Sequence, residues 1–324
     1  MKSRALGKRR KGAMKRLEEE FDTDPTVQSV LEGTPQTGIE EILSEKISDK
    51  PVVSLSYSWD GDYIAAASDK VEVFTVEYET RKLGEARPYF SGQHEYYGVS
   101  FGPDYRLAVV AVNDEAHLII TQTAQINLKE INYVTDREFY TGVSCSPDEK
   151  HIAVVEQHGT GMPDREITVF AVDYKNSIIR EVAGTALLGN GPTGIDFDNE
   201  GRQLLWAGSS SMLQVLAMES GELETKLDKD MGKRIIEAKW NPRKYSEWSR
   251  MAVLFENQVL FYEVNREVPD EDVDLSLTQI MDSVLSLKQL PQKIEVSGSS
   301  IAYCPDGQEI AVGCSDGMLR IYKL

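Results

Sequence analysis

A unit of three short apolar runs separated by two tight turns recurs along this chain, and it leaves few folds open. Its clearest copy, Ser299 to Leu324, reads SSIAYCPDGQEIAVGCSDGMLRIYKL. The turns Pro305-Asp306-Gly307 and Ser315-Asp316-Gly317 supply the positive φ and local side-chain bonding that a hairpin needs. Each run has strand length and is rich in Ile, Val and Tyr. Three strands alone are marginally stable, so the unit needs neighbours.

The same template returns at Val52–Phe74, Tyr97–Ile120, Thr141–Phe170 and Thr193–Leu216, with a worn copy at Arg234–Phe261. The first-turn positions Asp60, Asp104, Asp148, Glu200, Arg243 and Asp306 lie 44, 44, 52, 43 and 63 residues apart. Each third run is followed by a fourth, such as QINLKEINYV after Ile120 and GELETKLDK after Leu216. Four antiparallel strands per unit at this period predict an all-β chain folded as a six-bladed β-propeller. A seventh blade would require about 40 further residues, and the one candidate segment, Asn265–Pro291, is too short. The last copy stops after its third strand. Gly38–Ile47 (GIEEILSEKI) is therefore expected to pair beside the C-terminal strand and close the ring, removing two open edges.

Over roughly Gly38 to Leu324 the pattern resembles the WD-repeat propeller family, in a divergent form. Members usually carry Gly-His before the first strand and Trp-Asp closing the third. Here the Trp position holds Phe74, Ile120, Phe170, Leu216, Phe261 and Tyr322, and the Asp position holds Thr75, Thr121, Ala171, Ala217, Tyr262 and Lys323. Only Gly92-Gln93-His94 is similar to the Gly-His element. The polar network that often locks such blades is thus expected to be mostly absent, with apolar packing in its place. The resemblance implies a non-catalytic platform for other protein subunits. Lactonase-like and quinoprotein-like propellers are similar too, and imply instead a hydrolase with its site at the central channel.

Charge divides the chain in two. The sequence carries a net −18, yet its first 17 residues hold eight Lys or Arg and no acid, leaving 27 basic and 53 acidic residues beyond them. Residues 1–37 are expected to form a basic arm and a short helix, and residues 38–324 the propeller. The arm has little apolar surface to bury and is expected to be disordered until bound. Lys8, Arg9, Arg10, Lys11, Lys15 and Arg16 suit an acidic partner such as nucleic acid, through counterion release from phosphates. A solvated terminus, a nuclear-localisation cluster or an organelle-targeting segment would look the same. Asp24-Pro25 opens, and Gly33 ends, a helix of about eight residues, too short to stand alone in water. It either lies on the propeller or docks on a partner.

Departures from the repeat mark loops available for binding. Gln157–Glu166 lengthens the second turn of the third copy. Asn241–Arg250 lengthens the first turn of the fifth, and Asn265–Asp274 follows that copy's third strand on the same face of the ring. Arg243, Lys244 and Trp248 beside Asp270, Glu271 and Asp272 read as a protein-docking corner, since Arg and Trp dominate interface energetics. Alternatively the two loops neutralise each other and decorate the rim.

Signals for chemistry are weak. The four histidines, His94, His117, His151 and His158, have no metal-ligand spacing, and no phosphate loop or nucleophile elbow occurs. No cofactor and no small-molecule substrate are expected. His158, Asp164, Arg165 and Glu166 are the residues that an active mouth would recruit. Cys145, Cys304 and Cys314 read as buried thiols in a reducing intracellular setting, cytoplasmic or nuclear. No apolar run is long enough for a membrane span and no signal peptide is apparent.

Overall fold

The computed structural model describes residues 38–324, apart from 92–94, 113–115, 123–130, 136–138, 158–163, 189–193, 208–210, 220–221, 244–247 and 267–284. The basic arm and the short helix predicted after it lie outside the described residues.

An isolated strand β1 (Glu40–Lys46) precedes the first blade, which holds β2 (Ser54–Tyr57), β3 (Tyr63–Ala67) and β4 (Lys70–Glu77), with the outer position shared by β5 (Lys82–Leu83) and β6 (Arg87–Ser91). The second blade holds β7 (Glu95–Phe101), β8 (Arg106–Val112), β9 (Ala116–Gln122) and β10 (Ile131–Thr135). The third holds β11 (Phe139–Cys145), β12 (His151–Gln157), β13 (Asp164–Asp173) and β14 (Ile178–Leu188). The fourth holds β15 (Ile195–Phe197), β16 (Gln203–Ala207), β17 (Met212–Glu219) and β18 (Glu222–Asp230). The fifth holds β19 (Ile235–Trp240), β20 (Trp248–Phe255), β21 (Gln258–Arg266) and β22 (Leu285–Glu295). The sixth holds β23 (Gly298–Tyr303), β24 (Glu309–Cys314) and β25 (Met318–Lys323), with β1 as its outer strand. Every ladder is antiparallel, and six blades form the propeller that the repeat predicts. Part of the segment weighed as a seventh blade supplies β22, the outer strand of the fifth.

The strands differ in pattern because they differ in position. The second strand of each blade is buried on both faces, so it reads as a continuous apolar run: β8 is RLAVVAV and β24 is EIAVGC. Outer strands meet water, and β18, ELETKLDKD, keeps one buried residue in nine. Blade packs on blade through six apolar clusters, one for each interface of the ring. That packing replaces the missing Trp-Asp signature: Phe74, Phe170 and Phe261 sit buried where the Trp would stand.

Closure follows the expectation. β1 pairs with β25, Glu41 opposite Tyr322 and Leu43 opposite Ile321, and Leu43 is buried in the cluster between the sixth and first blades. The turn Asp316-Gly317 is held against the end of this strand. Ile47 N–H donates to the Gly317 carbonyl at 3.0 Å, and a Cβ on Gly317 would run into the Ser48 carbonyl oxygen. Only glycine, with its φ of +81°, serves there.

Two insertions are partly absorbed by longer strands. Trp248, assigned from sequence to a lengthened turn, opens β20 instead and pairs with Asn265, with Ser249 opposite Val264 and Arg250 opposite Glu263. Likewise Gln157 and Arg165 pair across β12 and β13, so the insertion of the third blade extends its hairpin. In both cases backbone groups gain ladder partners that a loop would leave to water.

Removing β1 tests closure. A chain starting at Ser48 is expected to unfold with about 3 kcal/mol or more less stability in urea than one starting at Gly38, from the lost burial of Leu43 and the lost ladder. It should also scatter light as the β25 edge self-associates. Equal stability of the two would show that β1 does not close the ring.

Candidate functional site

The first strand of every blade lines a central channel, and one side chain recurs there at a fixed place, four residues before the first-turn position. It is Ser56, Ser100, Ser144, Asp196, Lys239 and Ala302 in the six blades. At four junctions this side chain accepts a backbone N–H from the next blade. Phe101 N donates to Ser56 Oγ (2.9 Å), Cys145 N to Ser100 Oγ (3.0 Å), Phe197 N to Ser144 Oγ (3.2 Å) and Trp240 N to Asp196 Oδ2 (2.9 Å). Lys239 cannot accept, so the fifth blade uses Glu237, two residues earlier, whose Oε2 takes Ile301 N–H at 2.7 Å. At the last junction Ser300 Oγ donates to the Val52 carbonyl at 2.9 Å. A polar belt therefore runs around the channel, where mostly apolar locking was expected.

The turn after each first strand is fixed in the same way. Ser58 Oγ binds Asp60 (2.6 Å) and accepts Tyr63 N–H (2.9 Å), and Ser146 Oγ binds Asp148 (2.7 Å) and accepts His151 N–H (2.9 Å). In the fourth blade Asp198 Oδ1 alone takes the N–H groups of Glu200, Arg202 and Gln203. Burial raises the Asp198 pKa despite these donors. Burial also opposes the charged form of Asp60, but the Ser58 and Tyr105 hydroxyls outweigh it and hold that carboxyl below its usual range.

Between these turns opens a cavity of about 410 Å³, lined from all six blades and including Trp59, Ser144, Asp196, Lys239, Trp240 and Pro305. Two of its lining residues, Asp196 and Lys239, form a charged trio with Glu237 behind them. Lys239 Nζ lies 3.6 Å from Asp196 Oδ1 and 3.4 Å from Glu237 Oε1, and donates to the Ile195 carbonyl at 3.1 Å. The Lys239 and Glu237 side chains are 13% and 10% exposed, so the charges interact with little screening. Gly194 makes room for the trio, since a Cβ there would run into Glu237 Cγ. Burial raises the pKa of both carboxyls. For Lys239 burial acts downward, but Asp196 and Glu237 together outweigh it and the pKa rises.

Trp59, Tyr78 and Tyr105 are exposed around the same turns, Trp59 to 48%. Tyr105 Oη donates to Asp60, its ring meets Tyr63 edge-on at 5.8 Å, and Tyr78 Oη donates to the Gly61 carbonyl at 2.9 Å. Arg106 bridges the second and third blades, 3.3 Å from Glu149 and 4.1 Å from the centre of the Tyr174 ring.

The WD domain, G-beta repeat family model matches residues 293–323, which take in the end of β22 and all of the three strands β23–β25. With six four-stranded blades around one channel, the assignment follows. The chain is a WD-repeat-like β-propeller. No curated protein matches it. Propellers of this kind commonly serve as protein-interaction scaffolds and are typically non-enzymatic.

Of the residues singled out from sequence, Lys8, Arg9, Arg10, Lys11, Lys15 and Arg16 lie outside the described residues, as do Lys244, Asp270, Glu271 and Asp272. Arg243 is exposed in the turn after β19, its N–H donating to Asn241 Oδ1 at 2.9 Å. The start of β20 and the end of β21 lie at the same end of the blade, because Trp248 pairs with Asn265. His158 is outside the described residues. Asp164, Arg165 and Glu166 belong to β13, a third strand, not to one of the first strands that line the channel. The three cysteines are free. Burial pushes the Cys145 thiol up to about 12, which disfavours the thiolate. Sequence reasoning missed the belt and Trp59. A polar residue inside an otherwise apolar first strand, at one place in each copy, was the available signal.

Ser100→Ala and Ser144→Ala should each cost about 1–3 kcal/mol in urea unfolding, because each orphans a buried N–H. The trio gives a sharper result. The raised carboxyl pKa values mean that Asp196 and Glu237 withdraw stability as pH rises through those values. Lys239 returns stability until pH passes its own raised pKa. Lys239→Met should therefore cost about 3–5 kcal/mol at neutral pH, with the deficit shrinking as pH falls and the two carboxyls take up protons. Glu237→Gln keeps an acceptor for Ile301 and should be tolerated. A deficit independent of pH would contradict this reading.

Proposed function

We propose that this chain is a non-catalytic scaffold subunit of a larger assembly, and that its basic N-terminal arm contacts an acidic partner such as nucleic acid. The observation that carries the reading is how the channel uses its polar groups. The hydroxyls of Ser56, Ser100 and Ser144 are engaged by backbone N–H groups, and Lys239 is held by three acceptors. A hydrolytic site would need such groups free to meet substrate. What projects outward instead is a rim of turns bearing exposed aromatic residues, a surface suited to protein contact.

The arm enters through charge. Eight basic residues within the first 17 stand against an excess of 26 acids in the rest of the chain. An acidic body repels nucleic acid, which confines any such contact to the arm. Among the described residues no helix is long and apolar enough to cross a membrane. The free cysteines fit a reducing intracellular setting.

Affinity purification from native extract tests the reading, with the full-length chain and a chain starting at Glu18 run in parallel at low and high salt. The full-length chain is expected to recover a stoichiometric protein complex, together with an acidic component lost at high salt and lost without the arm. Recovery of no stoichiometric partner by either chain would overturn the scaffold reading. An acidic component retained without residues 1–17 would overturn the role of the arm.

A further inference from the structure

The rim around the channel is not uniform in charge. In the second to fourth blades its acids have cations beside them: Glu149 and Asp104 share Arg106, Asp148 meets Lys150 at 3.5 Å, and Glu200 meets Arg202 at 3.3 Å. In the first and sixth blades Asp60, Asp62 and Asp306 are exposed and have no ion pair among the described residues. The exposed aromatic residues gather at the same place. Tyr105 is bonded to Asp60, and Tyr78 to Gly61. Tyr78 Oη also lies 3.6 Å from Cys304 Sγ, just before the turn that carries Asp306. Trp59 and Pro305 line the cavity beside this patch. Tyr57 lines it too, 6% exposed, with a hydroxyl that has no hydrogen-bond partner among the described residues.

From this arrangement, and resting on the scaffold reading above, we infer that the turns of the sixth, first and second blades form a docking surface for a basic, arginine-bearing segment of a partner protein. A cation on an apolar stem is the one side-chain chemistry that both parts of the patch favour. Indole and phenol faces attract it through their quadrupoles, and unpaired carboxylates accept its hydrogen bonds. An anionic ligand would find Lys239, the one cation lining the cavity among the described residues, already held by two carboxylates. A protein segment fits better than a small cation because the patch spans the turns of three blades. The Tyr57 hydroxyl is placed to meet a polar group of such a segment entering the cavity.

Fluorescence anisotropy with a short labelled Arg-rich peptide tests this on the full-length protein, beside the same peptide with Gln for Arg and with Glu for Arg. The Arg peptide is expected to bind, and to weaken as salt rises. Trp59→Ala should lower its affinity about tenfold, and so should the paired change Asp62→Asn with Asp306→Asn. All three side chains are exposed, and the amide introduced by Asp306→Asn would keep an acceptor for Gln308 N–H, so melting temperatures should be unchanged. The inference is overturned if the Arg peptide does not bind, if the Gln or Glu peptide binds as well, or if both variants bind like the parent. The same variants used in native-extract purification keep the two readings apart. A complex recovered undiminished by the Trp59→Ala protein refutes docking at this patch and leaves the scaffold reading standing.

Discussion

The innermost strand of a blade has one edge paired within its own sheet and one edge turned toward the channel. N–H groups along that second edge lie too deep for bulk water to serve them well, and leaving each unpaired would cost about as much as a lost hydrogen bond. This chain meets the constraint by lending a side chain from the blade before. Ser56 serves Phe101, Ser100 serves Cys145, Ser144 serves Phe197, Asp196 serves Trp240 and Glu237 serves Ile301. The apolar clusters between blades supply bulk attraction but little orientation. The belt adds direction, because each bond fixes the height of one blade against the next.

Function follows from what the belt leaves over. Where serine fills the repeated place, the channel wall is neutral and fully engaged. Substituting Asp196 and Lys239 at that place, with Glu237 beside them, concentrates charge between the fourth and fifth blades, and the three groups satisfy one another. The unpaired charge and the exposed rings stand on the opposite side of the channel mouth in sequence order, at the turns of the sixth, first and second blades. The repeated polar side chains of the ring are engaged with one another and with backbone groups, and the exposed rings and the carboxylates without an ion pair among the described residues lie on its rim.

Much of this was legible from the repeat. Asp-Gly turns, strand-length apolar runs and a near-constant period carried the blade number, and the missing last strand pointed to Gly38–Ile47 as the closing piece, within which β1 forms. Burial made the second strands conspicuous, because a run such as AVVAV admits few other readings. Strand ends were less legible. Whether Trp248 continues a loop or opens β20 depends on Asn265 across the sheet, which no local pattern specifies. The belt was hidden for a related reason: a serine in a short strand has no visible partner until the strand about 45 residues later is laid beside it. Trp59 was overlooked because a tryptophan next to an Asp-Gly turn reads as core, whereas the turn swings it to the rim.

Amide hydrogen exchange, followed at single residues in the full-length protein, tests the belt most directly. Phe101, Cys145, Phe197, Trp240 and Ile301 stand on the first strands that face the channel, where an N–H without a bonded partner would exchange ahead of the core. If the belt holds the ring together, these amides exchange only with global unfolding, as slowly as those of β8 and β24. Exchange at those five positions well ahead of the second strands would contradict it, and would mean that apolar packing alone keeps the blades in place.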